Sequence, residues 1–429
     1  MRVFSNLLII NVLKVYFLFE ICNGFGVRVV NQQRSPTTLH ATLEVDSTKN
    51  SIDTIATNTV QPPPISPATN LPNQIYTWRN HQVRYQVAYP TDTSVPSKGS
   101  LILVHGLFVN SDHWRHTMKG LANAGYTAYA IDLLGSGYSS KPHPNDEVSR
   151  KLVCGESNGR FENGLETKKK NVILGTANGG IREGVEVDLL HPCQSPYNFF
   201  TWSEQVADFT RDVILPSLTT SNDNKVTIVA NSIGTITSFQ SILDNPTLFN
   251  GAFIVNPNFR ELHSAEVPLS NLAMPAIRQV QSLLRAKGKG LFDALAKPDI
   301  VKQILMEPYA IKEAIDDELV DVLLTPLLTP GASDVVFDTL SYSAGPLPEQ
   351  QLREESFPTN KNSNSGGVPV WICYGSKDPW TPPSRVESLI NIDSVEKVIR
   401  LEGVGHCPHD EAPHMVNPLL HQFLDRLNG

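Results

Sequence analysis

A serine, an aspartate and a histidine stand in that order along the chain, each just beyond a short apolar run. Ser232 ends the stretch Val-Thr-Ile-Val-Ala-Asn-Ser-Ile-Gly (residues 226–234), a β-branched run that opens onto a helix-forming segment. A hydroxyl is a poor nucleophile, so its oxygen must be lifted clear of the backbone by a sharp strand-to-helix turn beside which only small side chains fit. The spacing approaches G-x-S-x-G, with Ala230 at the first glycine and Gly234 at the second. Asp378 follows the apolar run PVWICY within Gly-Ser-Lys-Asp, and His406 closes Glu-Gly-Val-Gly-His after residues 398–401. The chemistry this trio could perform is proton abstraction from Ser232 by His406, with Asp378 orienting the imidazole. Ser232 taken alone would also suit the end of a buried strand in an ordinary turn; the ordered trio at strand ends favours the catalytic reading.

A fourth element precedes them. Residues 100–104 (SLILV) run into His105-Gly106-Leu107-Phe108, a turn able to aim backbone N–H groups at a developing oxyanion. Leu107 and Ile233 are the expected donors, and the loss of one such hydrogen bond typically costs about 3 kcal/mol. His105 is expected to order its loop rather than to react. After TAYAI (residues 127–131), Asp132, Gly135, Gly137 and Ser139 read as a tight loop at the mouth of the site. They lack the strand-to-helix spacing of a dinucleotide fingerprint.

Positioning these residues requires an α/β fold with a mostly parallel central sheet flanked by helices. Residues 76–89 alternate Trp78, Val83, Tyr85 and Val87 with polar neighbours, as in an antiparallel edge hairpin. Helices are expected over 112–124, 201–218, 233–243 and 413–427, with a strand at 251–255. Between that strand and residue 369 lies a stretch of helical periodicity, notably 275–284, 298–306, 309–314 and 318–324, read as a helical cap over Ser232. A cap rich in Leu, Val, Phe and Met would make an apolar tunnel, although most such residues must pack the cap on itself. Residues 141–195 show no sustained period and read as an exposed, partly disordered insertion. The resulting division is core at 75–257, cap and linker at 258–367, and core again at 368–429.

The 429 residues are 40% hydrophobic and carry a net charge of −8. That suffices for one large core and argues against nucleic acid, which would demand a basic stripe. Five cysteines occur without C-x-x-C spacing, so neither a zinc site nor a disulfide framework is indicated. Cys154 and Cys193, both in the insertion, are read as free thiols, with a pairing between them as the competing reading, and Cys407 as a packing residue. At the amino terminus an apolar stretch over residues 7–19 is too short to span a bilayer and reads as a signal peptide ending near residue 24. Residues 25–45 carry Arg28 and Arg34 with no acidic group before Glu44, as in a transit peptide, and residues 46–74 are rich in Thr, Asn, Ser and Pro, as in a disordered linker. The presequence resembles the bipartite plastid targeting of diatoms and related algae; simple secretion is the competing reading.

Taken together, His105-Gly106, Asp132-x-x-Gly135-x-Gly137-x-Ser139, Asn231-Ser232-Ile233-Gly234, Gly375-x-x-Asp378-Pro-Trp380 and Gly405-His406-x-Pro408-x-x-Glu411-x-Pro413 resemble an α/β-hydrolase with a lid, over about residues 75–429. The strings FTWSEQVADFTRDVI, LLTPLLTPGASDVVFDTLSYSAGPLPEQ and GVGHCPHDEAPHMVNPLL are similar to the plastid hydrolases that include chlorophyll dephytylase and pheophytinase. That resemblance implies hydrolysis of the phytyl ester of chlorophyll-type pigments, with no metal or organic cofactor in catalysis. It also implies a small hydrophobic ester as the partner and peripheral association with the thylakoid membrane. Other carboxylic esters would use the same catalytic parts, and some proteins of this fold act only as ligand receptors. Serine at the elbow differs from the carboxylate nucleophile of epoxide hydrolases and haloalkane dehalogenases. Ala230, Thr235 and the long insertion depart from the pattern, and His263 in the cap could reach a pigment's magnesium but is read rather as a solvent-facing or core histidine.

Overall fold

The computed structural model describes residues 60–428, apart from 93, 95–96, 151–168, 177, 219–224, 261–262, 268 and 360–366. The signal, the transit-like segment, residues 46–59 and Cys154 lie outside the described residues. Eight strands form the main sheet: β1 (Gln74–Trp78), β2 (His81–Ala88), β3 (Ser100–Val104), β4 (Thr127–Ile131), β7 (Val226–Ser232), β8 (Phe249–Pro257), β9 (Val370–Gly375) and β10 (Val395–Leu401). Their spatial order is β1-β2-β4-β3-β7-β8-β9-β10. β1 pairs antiparallel with β2, and β2 with β4; every later pairing is parallel. Strand order reverses at β3, so a crevice opens beyond the carboxyl ends of β3 and β7, where α/β sheets hold their ligands.

Parallel strands covered on both faces read as near-continuous apolar runs, and SLILV and VTIVANS are buried throughout. Successive side chains still alternate between faces. Ile102, Val104, Ile228 and Ile254 pack with helices α2 (Phe199–Phe209) and α3 (Gly234–Asp244). Leu101, Leu103, Val229 and Phe253 pack on the other face, against α1 (Arg115–Asn123) and the carboxyl-terminal helix Pro413–Asn428. The expected helix over 201–218 starts earlier, where the Asn198 side chain caps the amides of Phe200 and Thr201, and continues as a π turn over Thr210–Ile214.

Two expectations require correction. The linker expected to run to residue 74 is tied to the core in its last part, by Gln61 on Gln82 and by Ser66 on Asp112. Ile65 bridges Pro72, and Ser66, 1% exposed, donates its hydroxyl to Asp112 Oδ1 at 2.6 Å. The cause is the demand of Asp112, a buried carboxylate that also accepts from Arg84 (2.7 Å) and Gln86 (3.0 Å). For the same reason the polar residues Arg84 and Gln86 of β2 face inward rather than toward solvent, and β1, not β2, forms the sheet edge. The insertion likewise contains an antiparallel pair, β5 (Lys169–Gly175) with β6 (Ile181–Asp188), turning at Asn178-Gly179. Val172, Leu174 and Val187 bury themselves against Phe200 and Leu347. Cys193 is a free thiol, and Cys407 packs among Leu305, Tyr309 and Leu319.

Between β8 and β9 lie the cap helices α4 (Ser270–Lys287), α5 (Lys289–Leu295), α6 (Pro298–Leu305), α7 (Asp317–Leu327), α8 (Ala332–Leu340) and α9 (Pro348–Leu352). The helix expected over 309–314 reduces to one 3₁₀ turn at Lys312–Ala314, and the Glu411 carboxylate accepts the amides of Ala310 and Ile311 ahead of it (2.8 and 2.9 Å).

Buried histidines make the fold acid-sensitive. Burial lowers His105 and His409, takes His113 to about 4, and takes His191 and His263 to about 3, from an unfolded value near 6.5. Above pH 6.5 neither state binds the proton; below it the unfolded chain protonates first, so stability falls with pH until the folded values are reached. Each such group contributes up to about 1.4 kcal/mol per pH unit in that window. Urea midpoints measured from pH 7.5 to 4.5 should therefore drop continuously below pH 6.5; a flat profile would contradict the neutral buried rings.

Candidate active site

Ser232 ends β7 with φ +56°, and Ile233 turns directly into α3. A left-handed conformation is costly for a residue with a Cβ, about 1–2 kcal/mol, and marks strain stored where the chain must turn sharply. The small residues around the turn have separate reasons. A Cβ on Gly234 would lie 2.6 and 2.7 Å from the backbone oxygens of Val104 and His105, so helix α3 can start only where no side chain separates it from β3. The methyl of Ala230, two residues earlier, points into the core beside Ile228 and Ile236 and is accommodated there. We expect Gly234→Ala to lower stability by about 2 kcal/mol or more, since backbone on both sides must move; an unchanged thermal midpoint would refute this account of the turn.

Asp378 and His406 occupy the loops after β9 and β10 and meet in a hydrogen bond of 2.7 Å between His406 Nδ1 and Asp378 Oδ2. The two loops approach closely: a Cβ on Gly375 would stand 2.1 Å from the Gly405 carbonyl oxygen. Asp378 accepts three further hydrogen bonds, from Asn256 Nδ2 (2.5 Å) at Oδ2 and from the amides of Trp380 (2.8 Å) and Thr381 (3.3 Å) at Oδ1. Four donors fill the acceptor sites of an ionised carboxylate. Burial opposes that charge, but His406 and these bonds outweigh it and hold the carboxyl below its usual range. With Asp378 acting only as acceptor, the proton of the pair sits on Nδ1, and Nε2 is left with its lone pair. That nitrogen is buried and has no hydrogen-bond partner among the described residues. A buried unpaired acceptor on an oriented imidazole is equipped to take a proton.

The serine turn and the histidine loop are joined directly. Asn231 donates from Nδ2 to the His406 carbonyl oxygen at 3.2 Å and to that of Val255 at 3.1 Å. The His406 amide donates to the Pro308 carbonyl oxygen at 2.7 Å, Glu411 accepts the Gly405 amide at 2.7 Å, and Trp380 stands edge-on to the imidazole with centroids 4.8 Å apart.

Leu107 and Ile233 face one cleft, and among the described residues neither amide has a hydrogen-bond acceptor. Gly135 and Gly137 form its rim, while Leu323, Pro326 and Leu327 of α7 with Val335 and Val336 of α8 supply an apolar wall. His105 orders this loop: its Nε2 accepts the Leu133 amide (3.1 Å) and its Nδ1 bonds the Gly106 carbonyl oxygen (2.7 Å), leaving no ring nitrogen for chemistry. His263 is engaged in the same way, through the Ala265 amide and the Gly345 carbonyl oxygen, both at 3.0 Å, and is unavailable to a metal.

Asn256 is the site residue that sequence reasoning missed. It is the next-to-last residue of β8, at φ +48°, and its side chain bonds both the Gly375 amide and Asp378. The available signal was an asparagine followed by proline immediately after the apolar run GAFIV. Trp380 and Glu411 were visible in the motifs, but their contacts were not.

Residues 101–419 match the model of the alpha/beta hydrolase family. The chain is 21% identical over 360 residues to the chloroplastic pheophytinase of Arabidopsis thaliana, covering 81% of this chain and 65% of that protein, just under two thirds of its length. Among solved structures it is similar to a laboratory-evolved variant of potato epoxide hydrolase (16% identity, TM-score 0.54, 83% of this chain and 99% of the other). A bacterial membrane phospholipase A, described as a virulence factor, gives 16% identity and a TM-score of 0.51, covering 85% of this chain and 89% of the other. Likenesses at this identity speak to the fold alone.

Proposed function

Because the chain belongs to the alpha/beta hydrolase family, we propose that this hydrolase cleaves carboxylic esters with Ser232 as nucleophile, His406 as base and Asp378 as its orienting carboxylate. The observation that carries the reading is the saturated Asp378 bonded to Nδ1 of His406, with Nε2 left unpaired and the His406 carbonyl oxygen tied to Asn231 of the strained serine turn. In the proposed cycle the Ser232 hydroxyl oxygen bonds the ester carbonyl carbon while its proton passes to His406 Nε2. The oxyanion is held by the amides of Leu107 and Ile233. Collapse of the tetrahedral adduct breaks the carbon–alkoxy bond, and the departing alkoxide takes the proton from His406. Water then attacks the acyl-serine with His406 again as base, releasing the acid and restoring Ser232.

For substrate, we propose the phytyl ester of a chlorophyll-type pigment, acted on in a plastid. This is supported by the similarity to pheophytinase and by the apolar wall that α7 and α8 add to the cleft. A second reading, hydrolysis of a non-pigment ester or lipid, is favoured by the engagement of both His263 nitrogens, which leaves that cap residue nothing to offer a pigment's magnesium. The two separate in one assay: full-length protein incubated with chlorophyll, pheophytin and a short-chain aryl ester, with Ser232→Ala as the blank. Phytol release that disappears in the variant supports the pigment ester; aryl-ester cleavage with intact pigments selects the second reading; no Ser232-dependent turnover of any substrate overturns both.

A further inference from the structure

The outer side of the cap carries an apolar stripe that the catalytic reading does not use. Leu269 (77% exposed), Leu272 (78%), Val280 (40%) and Leu283 (57%) precede or lie on α4, with exposed Ala276 between them. On a helix of 3.6 residues per turn the spacings of 4, 4 and 3 residues place Leu272, Ala276, Val280 and Leu283 within an arc of about 80°, with Leu269 just ahead of the helix at φ +51°. The helix is seated by its other side: Met274 is buried, and Gln281 Nε2 donates to the Leu340 carbonyl oxygen at 3.0 Å. A soluble surface rarely keeps a contiguous row of large apolar side chains without a partner.

Charge identifies that partner. Residues 267–292 contain Arg278, Arg285, Lys287 and Lys289 and no acidic residue, in a chain whose net charge is −8. Arg285 is committed to Asp338 at 3.0 Å, Lys289 pairs at the surface with Asp293 at 3.5 Å, and Arg278 is exposed on the side of the helix away from the stripe, whereas exposed Lys287 continues the line of the stripe. An apolar helix face with cations beside it fits the headgroup boundary of an anionic bilayer, where side chains enter the acyl region and lysines meet lipid phosphates. No described helix alone is long and apolar enough to cross a membrane, so this would be a surface contact. We propose that α4 docks the cap onto an anionic lipid bilayer. Docking rests on this face alone; its use, to draw a membrane-dissolved apolar ester toward the cleft, rests on the ester-hydrolase reading.

The test uses the full chain with vesicles of phosphatidylcholine alone or mixed with phosphatidylglycerol. Because apolar residues 7–19 could also hold a vesicle, hydrogen exchange is read locally, in peptides covering 269–287. Mixed vesicles should slow exchange there several-fold, less so at high salt and little with phosphatidylcholine alone. Leu272→Ser with Leu283→Ser should abolish that protection, and Lys287→Gln with Lys289→Gln should remove the preference for anionic lipid. Both variants should keep the thermal midpoint and the aryl-ester activity of the parent. Unchanged exchange over 269–287, or protection that survives the leucine changes, overturns the proposal; so does protection that follows protein concentration without lipid, which would assign the stripe to a second copy of the chain. Failure of ester hydrolysis alongside intact vesicle protection would count against the hydrolase reading alone.

Discussion

Ser232→Ala is expected to lower kcat at least about 10⁴-fold on any ester the protein cleaves, with the thermal midpoint unchanged. Alanine keeps the Cβ, so the left-handed turn at φ +56° remains as strained as before and the fold has no reason to change. Ser232→Gly should be equally inactive but more stable, by about 0.5–1 kcal/mol. Glycine relieves the cost of a left-handed residue, and its greater unfolded-state freedom offsets part of the gain. The pair distinguishes a nucleophile from an ordinary turn serine: a turn serine would give the same gain in stability with no loss of rate. Parent-like activity in the alanine variant would end the case for Ser232 as nucleophile.

The second large effect belongs to Asp378→Asn, for which we expect a fall in kcat of about 10³–10⁴-fold with KM little changed. The reason lies in the four donors around the carboxylate. An amide offers one oxygen, so its NH₂ must face at least one N–H donor, or the imidazole must turn and adopt the wrong tautomer. Stability should fall too, and its pH dependence has a definite sign. The carboxyl is held below its usual value, so its ionised form stabilises the native state above the unfolded carboxylate value, and that contribution is lost as pH falls through the folded value. The difference in stability between parent and variant should therefore narrow on acidification below about pH 4. A variant whose kcat stays within tenfold of the parent would show that Asp378 is not the orienting group.

The trio was legible in sequence because each member follows its own strand, and chain order alone then limits how strands can bring them together. SLILV, TAYAI and PVWICY read as buried strands for the same reason: both faces are covered, so apolar residues run without a break. Asn256 was not legible, because its role depends on a backbone reversal at the end of β8 and on a partner 122 residues away. Ser66 was hidden by composition: a polar, proline-rich segment reads as a linker unless the buried Asp112 that needs its hydroxyl is known. The β5–β6 hairpin did leave a signal, in Asn178-Gly179 between the alternating pairs Val172/Leu174 and Val185/Val187, but neighbouring residues without a period obscured it.

The bonds that the amides of Gly405, Ala310 and Ile311 donate to Glu411, with that from the His406 amide to Pro308, bind one end of the cap to the loop of His406. The cap is therefore a door whose jamb carries the proposed base. Swinging it from residues 308–311 would break three hydrogen bonds, those of the Ala310, Ile311 and His406 amides, and misalign the imidazole, so passage that spares catalysis must use the other leaf, at α4 to α6. Opening at that leaf would leave the imidazole undisturbed, because it is not the edge that holds His406.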